Sequence, residues 1–370
     1  MVIVAFFAYQ AVANAIENLQ RANIASGFGF LSTTAGFDIS QAFIPYGAAT
    51  STYGDAFIVG LLNTLLVAAI GIVLATILGF IVGIARLSKN WIVAKIAMVY
   101  VEAIRNIPLL LQLLFWYVAV LTPLPPPRQS LDFGAGFLLN ARGLFMPRPI
   151  VASHAWIVLV VLVAGIVGAV AFRLWATRRQ EETGRQYPIG RTALALVVGL
   201  PLATWALLAL VGANPITFDL PQRGTFNLTG GMQVLPEFVA LLLGLVIYTA
   251  AFIAEVVRAG ILAVSRGQTE AASSLGLRPG QTLRLVVVPQ AMRVIVPPLT
   301  SQYLNLTKNS SLAVAVGYPD LVQVFMGTVL NQTGQAIEVV AITMAVYLAI
   351  SLITSFFMNV YNRRVAIVER

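Results

Sequence analysis

The sequence predicts an all-α fold, a polytopic membrane bundle of about eight transmembrane helices. Three observations predict it. Of 370 residues, 59% are hydrophobic and only 10% charged, far from the roughly 25% charged content of a soluble domain. Mean hydropathy is +0.87. The apolar residues gather into runs near the roughly 20 residues that carry a helix across a bilayer, and no second soluble domain interrupts them.

The spans are expected at Met1–Ile16, Phe57–Ala85, Ile92–Leu121, Ile150–Trp175, Thr192–Val211, Phe238–Leu262, Val286–Leu306 and Ile337–Val360. The first run, apolar from Met1 to Ala15, lacks a basic n-region and a small-residue cleavage site, so it reads as a span or part of one rather than a signal peptide. It is short, which leaves room for completing residues outside this sequence. The third run is interrupted by Glu102, Arg105 and Pro108 and the seventh by Pro297 and Pro298, so both are expected to bend or break. Gly79 and Gly83 form a small-xxx-small pair, a mark of close helix packing within the chain or with a partner. The connections Ala22–Asp55, Thr122–Pro149 and Gly212–Pro236 are rich in Gly, Pro, Thr and Asn. They read as loops, with Thr122–Pro127 extended because four of its six residues are proline.

Basic residues orient the bundle, because Lys and Arg near span ends stay in the cytoplasm. Sixteen of them (Arg86, Lys89, Lys95, Arg173, Arg178, Arg179, Arg185, Arg191, Arg258, Arg266, Arg278, Arg284, Arg293, Arg363, Arg364 and Arg370) fall on one set of loops, against five (Arg21, Arg128, Arg142, Arg148 and Arg223) on the other. Both termini and the loop around Glu270 are therefore expected in the cytoplasm. The proline- and glycine-rich connections are expected on the outer side.

The net charge of +9 does not imply a nucleic-acid partner, since the basic residues are spread over short loops rather than clustered on a soluble face. Without cysteine there are no disulfides or thiolate metal sites. A single histidine, His154, rules out a His-rich metal site and reads as an interfacial residue. Trp116, Trp156, Trp175, Tyr100 and Tyr117 fit span packing or interfacial belts.

Between the sixth and seventh spans lies Arg266-Gly-Gln-Thr-Glu270-Ala-Ala-Ser-Ser-Leu-Gly276-Leu-Arg-Pro279, continuing to Val286, Val288 and Pro289. Thr269–Leu275 is expected to be a short helix ended by Gly276, with a second short helix starting near Pro279. The small side chains of Ala271, Ala272, Ser273 and Ser274 let another surface approach the backbone, and Leu275, Leu277 and Leu283 offer apolar contact. Gly276-Leu-Arg-Pro-Gly-Gln-Thr lacks the lysine and glycine spacing of a phosphate-binding loop, so no nucleotide site is expected here.

This segment resembles the coupling loop, or EAA motif, of ABC importer permeases. Their pattern is Glu-Ala-Ala, three residues, Gly, nine residues, then Ile-x-Leu-Pro. Glu270-Ala271-Ala272, Gly276, Val286, Val288 and Pro289 match it at every gap, with Val replacing Ile and Leu. The flanking Tyr248–Ile261, Val294–Leu312 and Val101–Gln112 resemble permeases of the polar amino-acid uptake group, with Asn106-Ile107 where that group usually has Gly-Thr. The resemblance covers about 54–121 and 238–361. The intervening 122–237, with two extra helices and long loops, is similar to the enlarged permeases of general L-amino acid systems.

The resemblance implies an inner-membrane permease with a type I importer core and a two-helix insertion. It implies docking of a separate ABC ATPase subunit on Glu270, Ala271, Ala272, Leu275, Gly276 and Pro289, with ATP and magnesium on that subunit and no cofactor in this chain. It further implies a second homologous permease, a periplasmic amino-acid-binding protein and an amino-acid substrate, with membrane lipid around the bundle and no catalytic residue of its own.

Charges within spans are costly and either pair or face a polar path. Glu102 and Arg105 stand three apart, as do Glu255 and Arg258, so each pair can close on one helix face. They either hold helices together or, with Lys308 and Asn309, border the route of a zwitterion, Glu102 meeting the ammonium and Arg105 the carboxylate. Lys308 with Asn309, Ser310 and Ser311 equally suits a cap on the seventh helix. An ion-coupled secondary transporter is the alternative reading, since broken helices and intramembrane charges occur there too.

Overall fold

The computed structural model describes residues 27–224 and 227–365, with Ile3, Phe6, Phe7, Tyr9, Gln10, Ala13 and Asn14 before them. The expected first span, Met1–Ile16, therefore lies largely outside the described residues. In chain order the helices are α1 (Tyr53–Ala85), α2 (Trp91–Asn106), α3 (Leu109–Leu121), α4 (Ala155–Thr183), α5 (Ile189–Leu210), α6 (Pro236–Leu262), α7 (Arg266–Ser274), α8 (Pro279–Ala315) and α9 (Ala336–Val365). Among the described residues, six are long and apolar enough to cross a membrane, and seven spans result if α2 and α3 are one broken span. All seven expected spans after the first have a counterpart.

Boundaries move where polar residues extend a helix. α1 starts at Tyr53 because Thr52 and Asp55 form a reciprocal capping box that satisfies first-turn N–H groups. α4 continues past the expected Trp175 through Arg178, Arg179, Glu181 and Glu182, and stops at Gly184 in the left-handed region (φ 70°). Its expected start at Ile150 is corrected: Ile150 and Val151 belong to a strand that pairs with Ile216–Asp219.

The chain forms two compact units, 1–124 with 235–370, and 125–234. In the first, α1, α6 and α8 share a core of Ala75, Ile253, Val257, Ala291, Ile295, Leu299 and Leu306. Close approach needs missing side chains. A Cβ on Gly79 would sit 2.5 Å from Ile253 Cγ2, and one on Gly83 2.8 Å from the Ala254 carbonyl oxygen, so this pair packs within the chain, against α6. A second core joins Phe30, Tyr53 and Ala56 to Leu321, Phe325 and Val339. It fastens the segment before α1 to the connection between α8 and α9.

α2 and α3 meet at a bend of 107°, as the interruption at Pro108 predicts. Ile107 before the proline is extended (φ −98°, ψ 126°), the conformation that Pro Cδ imposes on its predecessor. The Gln112 side chain donates to the Ile104 and Ile107 carbonyls, both at 2.9 Å, and so occupies acceptors that the bend strips of helical partners. The expected break at Pro297 and Pro298 does not occur, since the helix runs through both. Upstream, Leu283–Val287 winds as a π-helix just before Pro289, widening the turn where a proline ring would strike the preceding carbonyl. The expected second short helix at Pro279 is accordingly the first turn of α8.

In the second unit the connections expected on the outer side are not irregular loops. Leu131–Asp132, Leu138–Asn140, Gly143–Met146 and Met232–Val234 (β1, β2, β3 and β6) form a four-stranded antiparallel sheet, and Arg148–Val151 (β4) pairs with Ile216–Asp219 (β5). Asn140 Oδ1 accepts from the Arg142 N–H at 2.8 Å to close the β2–β3 turn, which ends on Gly143 with φ 114°. Leu138, Phe145 and Leu228 form a small core. Thr122–Pro127, expected extended throughout, opens with a turn and reaches a 3-10 turn at Pro127–Gln129.

Candidate functional site: an exposed capped helix and a membrane charge cluster

α7 is built to be a surface. The Ser265 hydroxyl caps its start, accepting from the Gly267 N–H at 3.3 Å. At its end the Leu277 N–H donates to the Ala272 carbonyl at 3.1 Å and the Gly276 N–H to the Ser273 carbonyl at 2.9 Å, the paired bonds of a Schellman motif. Gly276 takes φ 78°, and a Cβ there would touch nothing. Glycine is required for the backbone angle, not for internal space. The Ser273 and Ser274 hydroxyls fold back on the Thr269 and Glu270 carbonyls, so neither adds height to the helix surface.

Of the sequence-predicted docking residues, only Ala272 is buried; Glu270, Ala271, Leu275, Gly276 and Pro289 are all exposed. Leu275 is 82% exposed and Leu283 53%, while Leu277 is half-buried. Gln290 Nε2 donates to Gln268 Oε1 at 3.1 Å, tying α7 to α8. α7 and α8 are thus joined by a short turn and a side-chain bond.

The intramembrane charges form a different network from the one their spacing predicts. Arg258 pairs with Glu255 at 3.3 Å as expected. Glu102 and Arg105 do not pair. Arg105 turns to Glu255 at 3.8 Å and lays its guanidinium 5.0 Å from the Phe252 ring centroid. Arg86, just after α1, also bonds Glu255. Glu255 therefore joins arginines from three helical segments, which three-residue spacing along one helix cannot reveal. Glu102 is exposed and has no ion pair among the described residues. Lys308 is exposed and Asn309 half-buried at the end of the α-helical part of α8. The Ser311 hydroxyl takes the Lys308 carbonyl at 2.7 Å, and a 3-10 turn follows, so this stretch terminates the helix.

A buried polar knot on the connection between α8 and α9 was not anticipated. Asn63 Nδ2 donates to the Pro319 carbonyl at 2.8 Å and to the Gln41 carbonyl at 3.0 Å. Thr64 Oγ1 accepts from the Leu321 N–H at 3.0 Å, and Gln41 Nε2 donates to the Tyr318 hydroxyl at 3.2 Å. Asp320, fully buried, accepts from the Gln323 N–H at 2.8 Å and the Tyr347 hydroxyl at 3.1 Å. Burial pushes its carboxyl up to about 7, against the pull of those two hydrogen bonds. Its one sequence signal is local: an aspartate three residues before Gln323, at the start of a helical turn, caps it.

The chain is similar to known membrane transport proteins. A family profile described as "binding-protein-dependent transport system inner membrane component" matches residues 184–367, which contain α7, the Glu255–Arg258 pair and Asp320. The whole chain is 54% identical to the general L-amino acid transport system permease protein AapQ of Rhizobium johnstonii, over 91% of that relative. This chain belongs to that family. It is a multi-pass membrane component of a binding-protein-dependent transport system. The putative amino-acid ABC transporter permease protein YhdX of Escherichia coli is 54% identical to it over 96% of this chain and 90% of the relative. The glutamate/glutamine/aspartate/asparagine transport system permease protein BztB of Rhodobacter capsulatus is 45% identical over 96% and 89%. A crystal structure of an amino acid ABC transporter with histidines superposes with a TM-score of 0.50 at 21% identity, covering 84% of this chain and 95% of that one. That likeness concerns the fold.

Proposed function

We propose that this inner-membrane component is one half of the translocation pathway of an ATP-driven importer of L-amino acids, broad in the side chains it accepts. The observation that carries the reading is α7: a capped helix with exposed Glu270, Ala271, Leu275 and Gly276, on a chain whose full length is similar to amino-acid permeases. The same similarity favours ATP-driven transport over ion coupling. A separate ABC ATPase subunit, holding ATP and magnesium, docks on α7 and Pro289, and its closure rocks α8 between inward- and outward-open arrangements. A second, similar permease supplies the other half, and a periplasmic binding protein delivers substrate to the outer face. Both termini and α7 lie in the bacterial cytoplasm, as the distribution of basic residues indicates.

Glu102, Arg105, Glu255, Lys308 and Asn309 are the residues we assign to the substrate path. Glu102, without an ion pair among the described residues, is available to an ammonium. Arg105 is only loosely held at 3.8 Å from Glu255, so a substrate carboxylate can compete for it. The test is reconstitution of the chain with its partner subunits in liposomes, measuring ATP hydrolysis and labelled amino-acid uptake. Replacing Glu270 and Gly276 is expected to abolish coupled uptake and release or uncouple the ATPase; ATP-independent uptake without an associated ATPase would overturn the reading. Glu102→Gln with Arg105→Gln is expected to cut uptake at least tenfold, the cost of losing about 1.4 kcal/mol of charge-assisted bonding, while leaving the complex assembled. Unchanged rate and substrate range would remove these two residues from the path.

A further inference from the structure

Beside the Glu255 cluster, a cavity of about 540 Å³ opens between the end of α1, the first half of α2 and the end of α6, lined by Arg86, Trp91, Ala94, Lys95, Met98 and Arg258. We propose that this cleft holds the phosphate group of an anionic membrane phospholipid.

Charge comes first. Three cationic side chains line the cleft, and Glu255 is the carboxylate that meets two of them. Glu255 is also shared with Arg105, which leaves less of its charge for Arg86 and Arg258. Lys95 is exposed and has no ion pair among the described residues. The Nε of Arg258 is buried without an acceptor. Glu102, the acid of α2, stands seven residues beyond Lys95 and does not line the cavity. The cleft thus carries a net positive charge with donors to spare, and a phosphate diester supplies the missing negative charge and acceptors.

The walls distinguish a lipid from a soluble anion. Trp91, Ala94 and Met98 recur at helical spacing and put an apolar floor under the cations. The neighbouring stripe on the same helix, Ile92, Ile96 and Val99, is 52%, 66% and 52% exposed, a ready track for acyl chains. Trp91, at the first turn of α2 and 74% exposed, has the position of an interfacial anchor. A basic pocket between transmembrane helices at the membrane–water boundary, continuous with an exposed apolar strip, fits a headgroup and its tails together.

The experiment uses the full complex with its partner subunits, delipidated in detergent and supplied with phosphatidylglycerol or phosphatidylethanolamine, with bound lipid counted by native mass spectrometry. Lys95→Gln is expected to lower retained phosphatidylglycerol about fivefold, one surface cation's share of the attraction, and to leave phosphatidylethanolamine unchanged. Lys89→Gln, an exposed lysine outside the cleft, is the control and is expected to retain wild-type levels. Equal phosphatidylglycerol retention in wild type and Lys95→Gln overturns the proposal. So does stabilisation of the lipid-free complex by inorganic phosphate that Lys95→Gln abolishes, because the cleft would then be a soluble-anion site.

Discussion

α6 and the inserted helices α4 and α5 cross the same solvent with opposite economies of contact. Over its most apolar stretch 56% of α6 is buried inside the chain, against 6% for α4 and none for α5. α6 achieves this with Ala240, Gly244, Ala250, Ala251, Ala254 and Gly260 among its buried positions, where small side chains let neighbouring backbones close in. α4 and α5 meet tightly at one place, Gly165, where a Cβ would lie 2.2 Å from the Leu196 carbonyl oxygen. Elsewhere they expose Leu159, Val163, Val167, Leu202 and Leu207. Hydropathy alone cannot tell these helices apart, since lipid and protein interior are equally apolar to a leucine; what separates them is the placement of small residues.

The largest test of the contrast is Asp320, because the packed unit hides a carboxylate while Asp132 of the insertion is exposed. Its folded pKa, raised from 3.8 to about 7, means that the native state binds the proton more tightly than the unfolded state. The contribution of Asp320 to stability is greatest below about pH 4, declines as pH rises, and levels off above about 7, a span of up to about 4 kcal/mol. Thermal unfolding followed across that range is expected to show the decline in wild type and to lose it in Asp320→Asn, whose amide can keep both partners. A pH-independent wild type would mean that water or an unrecognised cation already compensates the charge. Next in size, Gly79→Val forces a side chain into Ile253 and the Ala250 carbonyl and is expected to cost about 2–3 kcal/mol. Gly168→Val in the insertion meets only Leu196 Cδ1 at 3.7 Å and should stay within about 0.5 kcal/mol. Equal loss of folded protein at both sites would erase the distinction.

What could be read from the sequence follows the range of the interaction. Spans, the bend at Pro108 and the Gly276 helix end are decided by residues within a turn or two, and the Glu270–Gly276 part of the motif lies on α7 and its C-terminal turn. The Glu255 cluster was legible only in its three-residue part, Arg258; Arg86 lies 169 residues away along the chain and carries no local sign of its partner. Pairing of Glu102 with Arg105 was inferred from helical spacing, but Arg105 gains both a carboxylate and an aromatic face on α6. The strands of the insertion were read as loops because each is two to four residues long, too short for alternation to register. At the proline pair in α8 the break that was one of the two expected outcomes is absent. Proline removes local hydrogen bonds, but in lipid the neighbouring helices can hold the path of a bent or loosened helix.

Gly276 and Gly184 sharpen the comparison at its smallest scale. Each follows the end of a helix in the left-handed region, at φ 78° and φ 70°, and at each a Cβ would contact nothing. The strain of an alanine in that conformation is about 1 kcal/mol at both positions, so Gly276→Ala and Gly184→Ala are expected to lower thermal stability equally. Their effects on transport are expected to diverge. At Gly184 the added methyl points into open space at the end of an inserted helix, and uptake should match wild type. At Gly276 it adds bulk to the face assigned to the ATPase and loosens the motif that sets the end of α7, so ATP-driven uptake should fall while the permease remains folded. Equal stability with unequal uptake separates a docking role for Gly276 from a purely conformational one; parallel losses in both variants would reduce Gly276 to a helix stop.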